Sequence, residues 1–236
     1  MNKVFLLLNL CLITISVSSQ SFIGAWEAVS ESKEGIKIRT VVTFAKGYQV
    51  MTMFEAKSGK FITTNGGSWE LVGDTMTEKI EFDTSDPERV GTEVSFKVFI
   101  SDTEMGIVGQ KMKFKRIDSG KPGELHGAWL MSGRIRNGKT QMRDTSRPRK
   151  TMKVLSGTRF QWIAYNTETK QFIGTGGGTY TTVNGEYTEN IEFFSRDNSK
   201  AGLSLTFDYD LKNNNWNHKG FSSKGDPMHE IWSIRK

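Results

Sequence analysis

A lone carboxylate on an apolar strand face, an imidazole among aromatics and a run of arginines are the groups in this chain whose types and spacing can do chemistry. Glu189 alternates with Tyr187, Ile191 and Phe193, so one face of an extended segment carries a single acid among large apolar neighbours. Its counterpart Glu78 sits among Met76, Ile80 and Phe82 in the same way. A carboxyl in such surroundings has a raised pKa unless it is paired or hydrogen-bonded, and it can carry a proton or hook ligand hydroxyls. His218 alternates with Trp216 and Gly220, and with Glu189 it makes the candidate catalytic acid/base pair. Both residues also have a purely structural reading, as a carboxylate satisfied by a neighbouring strand and as a packed, hydrogen-bonded histidine.

Between Arg134 and Lys153 stand eight basic residues against one acid, Asp144. Arg143 and Arg147 in this run can hold carboxylate or sulfate groups bidentately. The competing reading is a strand edge kept soluble by charge. Trp162, Tyr165 and Tyr180 supply either a stacking wall for a sugar ring or flat ligand, or core. Together with Tyr187, Glu189, His218, Arg143 and Arg147 they form the expected ligand-binding set.

Other chemistries find no support. His126, His218 and His229 do not have metal-ligand spacing, so no metal is expected. The glycine run from Gly174 to Gly178 lacks the Lys-Ser/Thr of a phosphate loop and fits a bulge or sharp barrel bend better. There is no Gly-x-Ser-x-Gly and no cofactor fingerprint, so no cofactor is expected.

The elements that must position these groups come from an internal repeat. The segment 61–82 matches 172–193 at 11 of 22 positions with an offset of 111, including Phe-Ile, paired glycines and Thr-Glu-x-Ile-Glu-Phe. Gly24-Ala25-Trp26 recurs as Gly127-Ala128-Trp129 at an offset of 103, which leaves 8 additional residues in the second copy, inside the basic run. Two domains follow, 20–117 and 125–236, joined by a connector at 118–124 whose glycines and proline break regular structure. Apolar residues alternate with period two, as in Val94, Phe96 and Val98, and turn signals such as Val183-Asn184-Gly185 separate the runs. No sustained helical face occurs after the N-terminus, so the pattern predicts an all-β barrel or sandwich.

Lys3, the apolar run from Val4 to Val17 and the small residues Ser18-Ser19 have the order of a signal peptide, 1–19, cut to leave Gln20 first. The run is short of the roughly 20 apolar residues of a membrane span. Cys11, the single cysteine, falls in this leader, so the mature chain has neither disulfide nor thiol nucleophile. Loss of Lys3 lowers the formal charge from +6 to +5. A periplasmic or secreted protein is expected, with no membrane span in the mature chain and no nucleic-acid partner. An acidic saccharide or a lipid suits the basic run better.

Each copy opens on Gly-Ala-Trp and closes on a strand with an arginine, Arg116 and Arg235. This resembles the lipocalin pattern, in which the arginine packs across the indole by cation–π attraction. Arg159-Phe160-Gln161-Trp162, Gly176 to Tyr180, Tyr187 to Phe193 and Trp216 to Gly220 resemble a family of small bacterial exported lipocalin-like (calycin) domains of unassigned function. The resemblance implies two tandem lipocalin-like antiparallel β-barrels. The first copy departs from it, with Val50, Trp69, Met76 and Ile107 at the places of Trp162, Tyr180, Tyr187 and His218. The expected function is therefore an exported binding protein holding a small anionic or sugar-derived ligand in the second barrel. The rival is a lyase- or isomerase-type enzyme acting on a sugar-derived acid through His218 and Glu189. A third reading is an adaptor with a filled lumen.

Overall fold

The computed structural model describes residues 21–118, 121 and 123–236. The expected leader lies outside the described residues, as do residues 119, 120 and 122 of the expected connector. The first copy forms β1 (Gly24–Glu31), β2 (Lys37–Ala45), β3 (Tyr48–Glu55), β4 (Phe61–Val72), β5 (Thr75–Asp83), β6 (Glu93–Ile100), β7 (Glu104–Ile107) and β8 (Lys113–Asp118). Each strand pairs antiparallel with the next, and β8 returns to β1, closing an eight-stranded barrel. The second copy forms β9 (Gly127–Arg136), β10 (Lys139–Met142), β11 (Arg149–Leu155), β12 (Arg159–Asn166), β13 (Gln171–Val183), β14 (Glu186–Phe194), β15 (Ser204–Lys212), β16 (Asn215–Phe221) and β17 (Pro227–Ile234). It closes through β17 on β9, and the chain is all-β in two barrels.

The additional residues of the second copy build the β9–β10 hairpin. Its turn is Asn137-Gly138, both at positive φ (50° and 72°), the backbone that two-residue hairpins require. β10 continues the edge of β9 beyond the point where β11 takes over, and all its residues are exposed.

The glycine pairs mark a β-bulge in each copy, at Gly66/Gly67 and at Gly177/Gly178. Across these steps the partner strand skips one residue, Glu81 in β5 and Glu192 in β14. A Cβ on Gly67 or Gly178 would lie 2.0 or 1.9 Å from a carbonyl oxygen of the neighbouring strand, so only glycine fits. The bulge reverses the alternation. Ile191 faces the lumen, but Phe193 turns outward and Phe194 lines the interior, which corrects the single face expected to run through to Phe193.

Each barrel floor is closed by its Gly-Ala-Trp tryptophan. The indole N–H groups of Trp26 and Trp129 donate to the carbonyls of Phe22 and Leu125, both at 2.9 Å. Arg116 lies over the Trp26 ring at 3.9 Å, as the lipocalin resemblance implies. Arg235 does not repeat this. Arg116 stands opposite Trp26 in the ladder, whereas Ile234 stands opposite Trp129, so Arg235 one residue later points to the other face.

That outer face is covered by the other barrel. Phe54 stacks on Phe193 (centroids 4.9 Å apart), and their counterparts Tyr165 and Phe82 meet at 5.0 Å. Phe61 and Phe172, equivalent to each other in the repeat, stack at 5.9 Å and 10°. The contact is thus isologous: the copies meet as two subunits of a twofold dimer would. The bulge carboxylates complete it. Glu192 receives Arg39 (3.1 Å) from the first barrel and Arg159 (2.9 Å) from its own. Glu81 receives Arg235 (2.7 and 2.8 Å) and the Tyr165 hydroxyl, and Arg235 also covers Tyr48 at 4.1 Å. Burial pushes the Glu192 carboxyl up, but Arg159 and Arg39 hold it below its usual value.

Because these contacts are shared, the two barrels are expected to unfold together, in a single transition in urea. Glu81→Ala leaves Arg235 and Tyr165 without their acceptor, a loss of about 3 kcal/mol. Glu81→Ala/Glu192→Ala should split the transition in two. A double variant within about 0.5 kcal/mol of wild type, the size of an ordinary surface change, would refute the coupling.

Candidate functional site

Inside the second barrel lies a cavity of about 260 Å³. Glu189 on β14, His218 on β16, Lys153 on β11, Glu230 on β17 and Trp162 on β12 all line it. Lys153 and Glu189 form an ion pair at 2.7 Å, each side chain 5% exposed, and the Tyr187 hydroxyl donates to the same carboxylate oxygen at 2.9 Å. Four rings surround the ammonium: Trp216 (5.0 Å), Tyr187 (5.1 Å), Trp232 (5.2 Å) and Phe160 (6.0 Å). Burial, and then the charge on Glu189, push the Tyr187 hydroxyl well above its ordinary pKa, so it remains a donor.

His218 is 1% exposed and packs on Phe207 at 4.2 Å, with Trp216 and Tyr187 beyond. Burial, reinforced by the Lys153 charge, lowers its pKa and leaves a neutral imidazole. Its Nδ1 is 3.5 Å from Glu230, too long for a hydrogen bond, and neither ring nitrogen has a hydrogen-bond partner among the described residues. Glu230 itself accepts from the Trp232 indole at 3.1 Å. The cavity is therefore lined by the His218 ring beside the Glu230 carboxylate, with the Lys153–Glu189 pair in its wall.

The other expected site residues lie elsewhere. Tyr180 is buried and donates to the Ser156 carbonyl at 2.6 Å. Tyr165 belongs to the interface between the barrels. Arg143 flanks a crevice of about 20 Å³ beside Met131 and Thr145, and Arg147 is 77% exposed next to Asp144. Neither arginine lines the cavity. Trp162, half-buried, packs over Gly176 and edge-on to Phe194 at 5.5 Å, with one side toward the cavity.

Lys153 and Glu230 are site residues that sequence reasoning missed. In β11 the apolar residues Met152 and Val154 flank Lys153, so alternation reads it as solvent-facing. Met152 and Val154 are instead buried in the cluster shared with Ala45, Val50 and Phe82 of the first barrel, and the lysine points inward. The signal that reveals this is register: Lys153 stands opposite Trp129 as Val42 stands opposite Trp26.

The first barrel has a cavity of about 480 Å³. It keeps Glu78 but has Val42, Met76, Met105 and Ile107 at the places of Lys153, Tyr187, Trp216 and His218. With Val42 in place of the lysine, burial holds the Glu78 carboxyl up at about 7, opposed by the charge of Arg89. Among the described residues, no group of three His, Cys, Asp or Glu can hold a metal ion, and no helix is long and apolar enough to cross a membrane.

The model of a family described as Domain of unknown function (DUF4488) matches residues 124–235, the span of the second barrel. No curated protein matches the chain.

His218 makes stability depend on pH. Its folded pKa lies below the model-peptide value of 6.5, so the unfolded chain binds the extra proton and stability falls as pH drops below that value. His126, also lowered by burial, acts in the same direction, while Glu78, held up at about 7, acts in the opposite one. Relative to wild type, His218→Gln should gain urea midpoint as pH falls from about 6.5 to about 5; a variant whose midpoint runs parallel to wild type would show that His218 is not buried neutral.

Proposed function

We propose that this chain is a binding protein whose second barrel holds one small, uncharged, hydroxyl-rich molecule of the size of a single sugar ring. The observation that carries this reading is the 260 Å³ cavity that combines the Trp162 indole with the His218 ring, the Glu230 carboxylate and the hydroxyls of Ser222 and Ser223. An aromatic platform with several acceptors and donors suits a ring that presents one apolar face and a rim of hydroxyls. The volume is below the roughly 300–1,000 Å³ of pockets for drug-sized ligands, which favours one ring over an oligosaccharide or a lipid.

Charge favours a neutral ligand over an anionic one. Lys153 is neutralised by Glu189, Glu230 remains, and the arginines of the basic run stay outside the cavity. An enzyme using His218 and Glu189 as an acid/base pair is less well supported, because the Glu189 oxygen nearest the lysine is already engaged by two donors. The leader read at residues 1–19 makes an exported compartment part of this proposal.

Calorimetric titration with neutral monosaccharides and the matching uronic acids tests it. A neutral sugar should bind with affinity flat from low salt to about 0.5 M, since no screened charge attracts it. Trp162→Ala should weaken it at least tenfold, about 1.4 kcal/mol, and Arg143→Gln/Arg147→Gln should leave it unchanged. Salt-sensitive binding of uronic acids alone would restore the anionic ligand, turnover of a sugar would make the chain an enzyme, and no binding at all would leave the adaptor.

A further inference from the structure

The larger cavity is in the barrel that lacks the polar cluster, and its chemistry is one-sided. Met51, Met76, Phe96 and Phe114 are among the side chains that form its apolar wall. Set into that wall are Thr40 and Gln49, 3% and 2% exposed, whose Oγ1 and Oε1 atoms have no hydrogen-bond partner. Glu78 joins them, half-buried and without a hydrogen-bond partner among the described residues. The Thr40 and Gln49 oxygens are enclosed by the wall itself, so the carboxylate of Glu78 is the acid that faces the apolar space. A carboxylate set in an apolar wall without a hydrogen-bond partner is costly, so its persistence points to a donor that is bound there.

We propose that the first barrel is a second ligand site, separate from the sugar-sized cavity, which takes a primary amine on an apolar tail. The ammonium pairs with Glu78, and the tail lies among the methionines and phenylalanines. Methionine side chains adapt to flexible chains, and about 480 Å³ is too large for a single ring alone. A carboxylate ligand is disfavoured by Glu78. The one cation in the lining, Arg89, is tied to the buried Asp83 at 2.8 Å. A plain hydrocarbon would leave the Glu78 carboxylate unmatched.

Among the described residues, Glu78 and Arg89 are the charged groups that line the cavity. Since burial keeps the Glu78 carboxyl at about 7, below that pH it must first lose its proton to pair with an ammonium, and amine affinity rises from about pH 6 to about pH 8.

The test is titration calorimetry on the whole chain with decylamine, decanol and decanoate, three ligands with the same tail. Decylamine should bind at least tenfold tighter than either of the others at about pH 8, with release of a proton near pH 7 that shows as a buffer-dependent enthalpy. Glu78→Gln should remove at least tenfold of the decylamine affinity and all of its pH dependence while decanol is unaffected. Equal affinity for the three tails, preference for decanoate, absence of binding, or an undiminished Glu78→Gln variant each overturn the proposal. Should that variant fail to fold, the ranking of the three tails and the pH dependence of the wild-type chain decide the question.

Discussion

The β-bulge at Glu81 and Glu192 is the constraint on which both the interior and the interface depend. Before the bulge, β5 and β14 present Glu78 and Glu189 to their lumens. After it, the same strands present Phe82 and Phe193 to the opposite barrel. The skipped residue itself emerges at the contact, where Glu192 collects Arg39 and Arg159 from the two copies and Glu81 takes Arg235 from the opposite one. A strand without the bulge would keep one parity throughout, and could not serve a ligand cavity and a barrel–barrel contact from consecutive turns of its pleat. The glycines opposite permit it, because the backbones approach too closely there for any side chain.

A carboxylate inside a closed barrel must find a cation or give up its charge, and the two lumens take opposite courses. In the second, Lys153 and Tyr187 satisfy Glu189 and four aromatic rings wrap the ammonium, so the pair is kept ionic in a small cavity. In the first, the lysine is replaced by Val42, and Tyr187 and Trp216 by Met76 and Met105, and burial holds the Glu78 carboxyl up at about 7. An eight-stranded barrel is just wide enough to be filled by side chains or to hold one small ligand, so these few exchanges decide volume as well as polarity. Trp216 and Trp232 fill space that Met105 and Phe114 leave open.

Arg235 shows how the tertiary contact reassigns a motif residue. On the first barrel Arg116 covers its tryptophan in the lipocalin manner. On the second, the ladder sets Ile234 opposite Trp129, and the arginine joins Glu81, Tyr165 and Tyr48 across the interface. Trp129 packs edge-on against Trp216 at 5.8 Å instead. The resemblance identified the right strand and the right residue type, but not which of its two faces the side chain would take.

By itself the sequence determined that this is an all-β chain of two copies, since an offset of 111 and an alternation of period two survive without knowledge of any contact. It also placed the glycines at a bend, and put Glu189, His218 and Trp162 together on strands that share one interior. Only the tertiary structure decided the side on which Lys153, Tyr165, Phe193 and Arg235 fall. Alternation separates two faces of a strand, but it distinguishes inside from outside only when one face meets water. Here the outer face of β11, β12 and the ends of β5 and β14 is buried against the other barrel, so Met152, Val154 and Tyr165 look like interior residues and Lys153 looks like a surface one. Where both faces of a strand are dry, register against its neighbours, and not polarity, sets what enters the lumen.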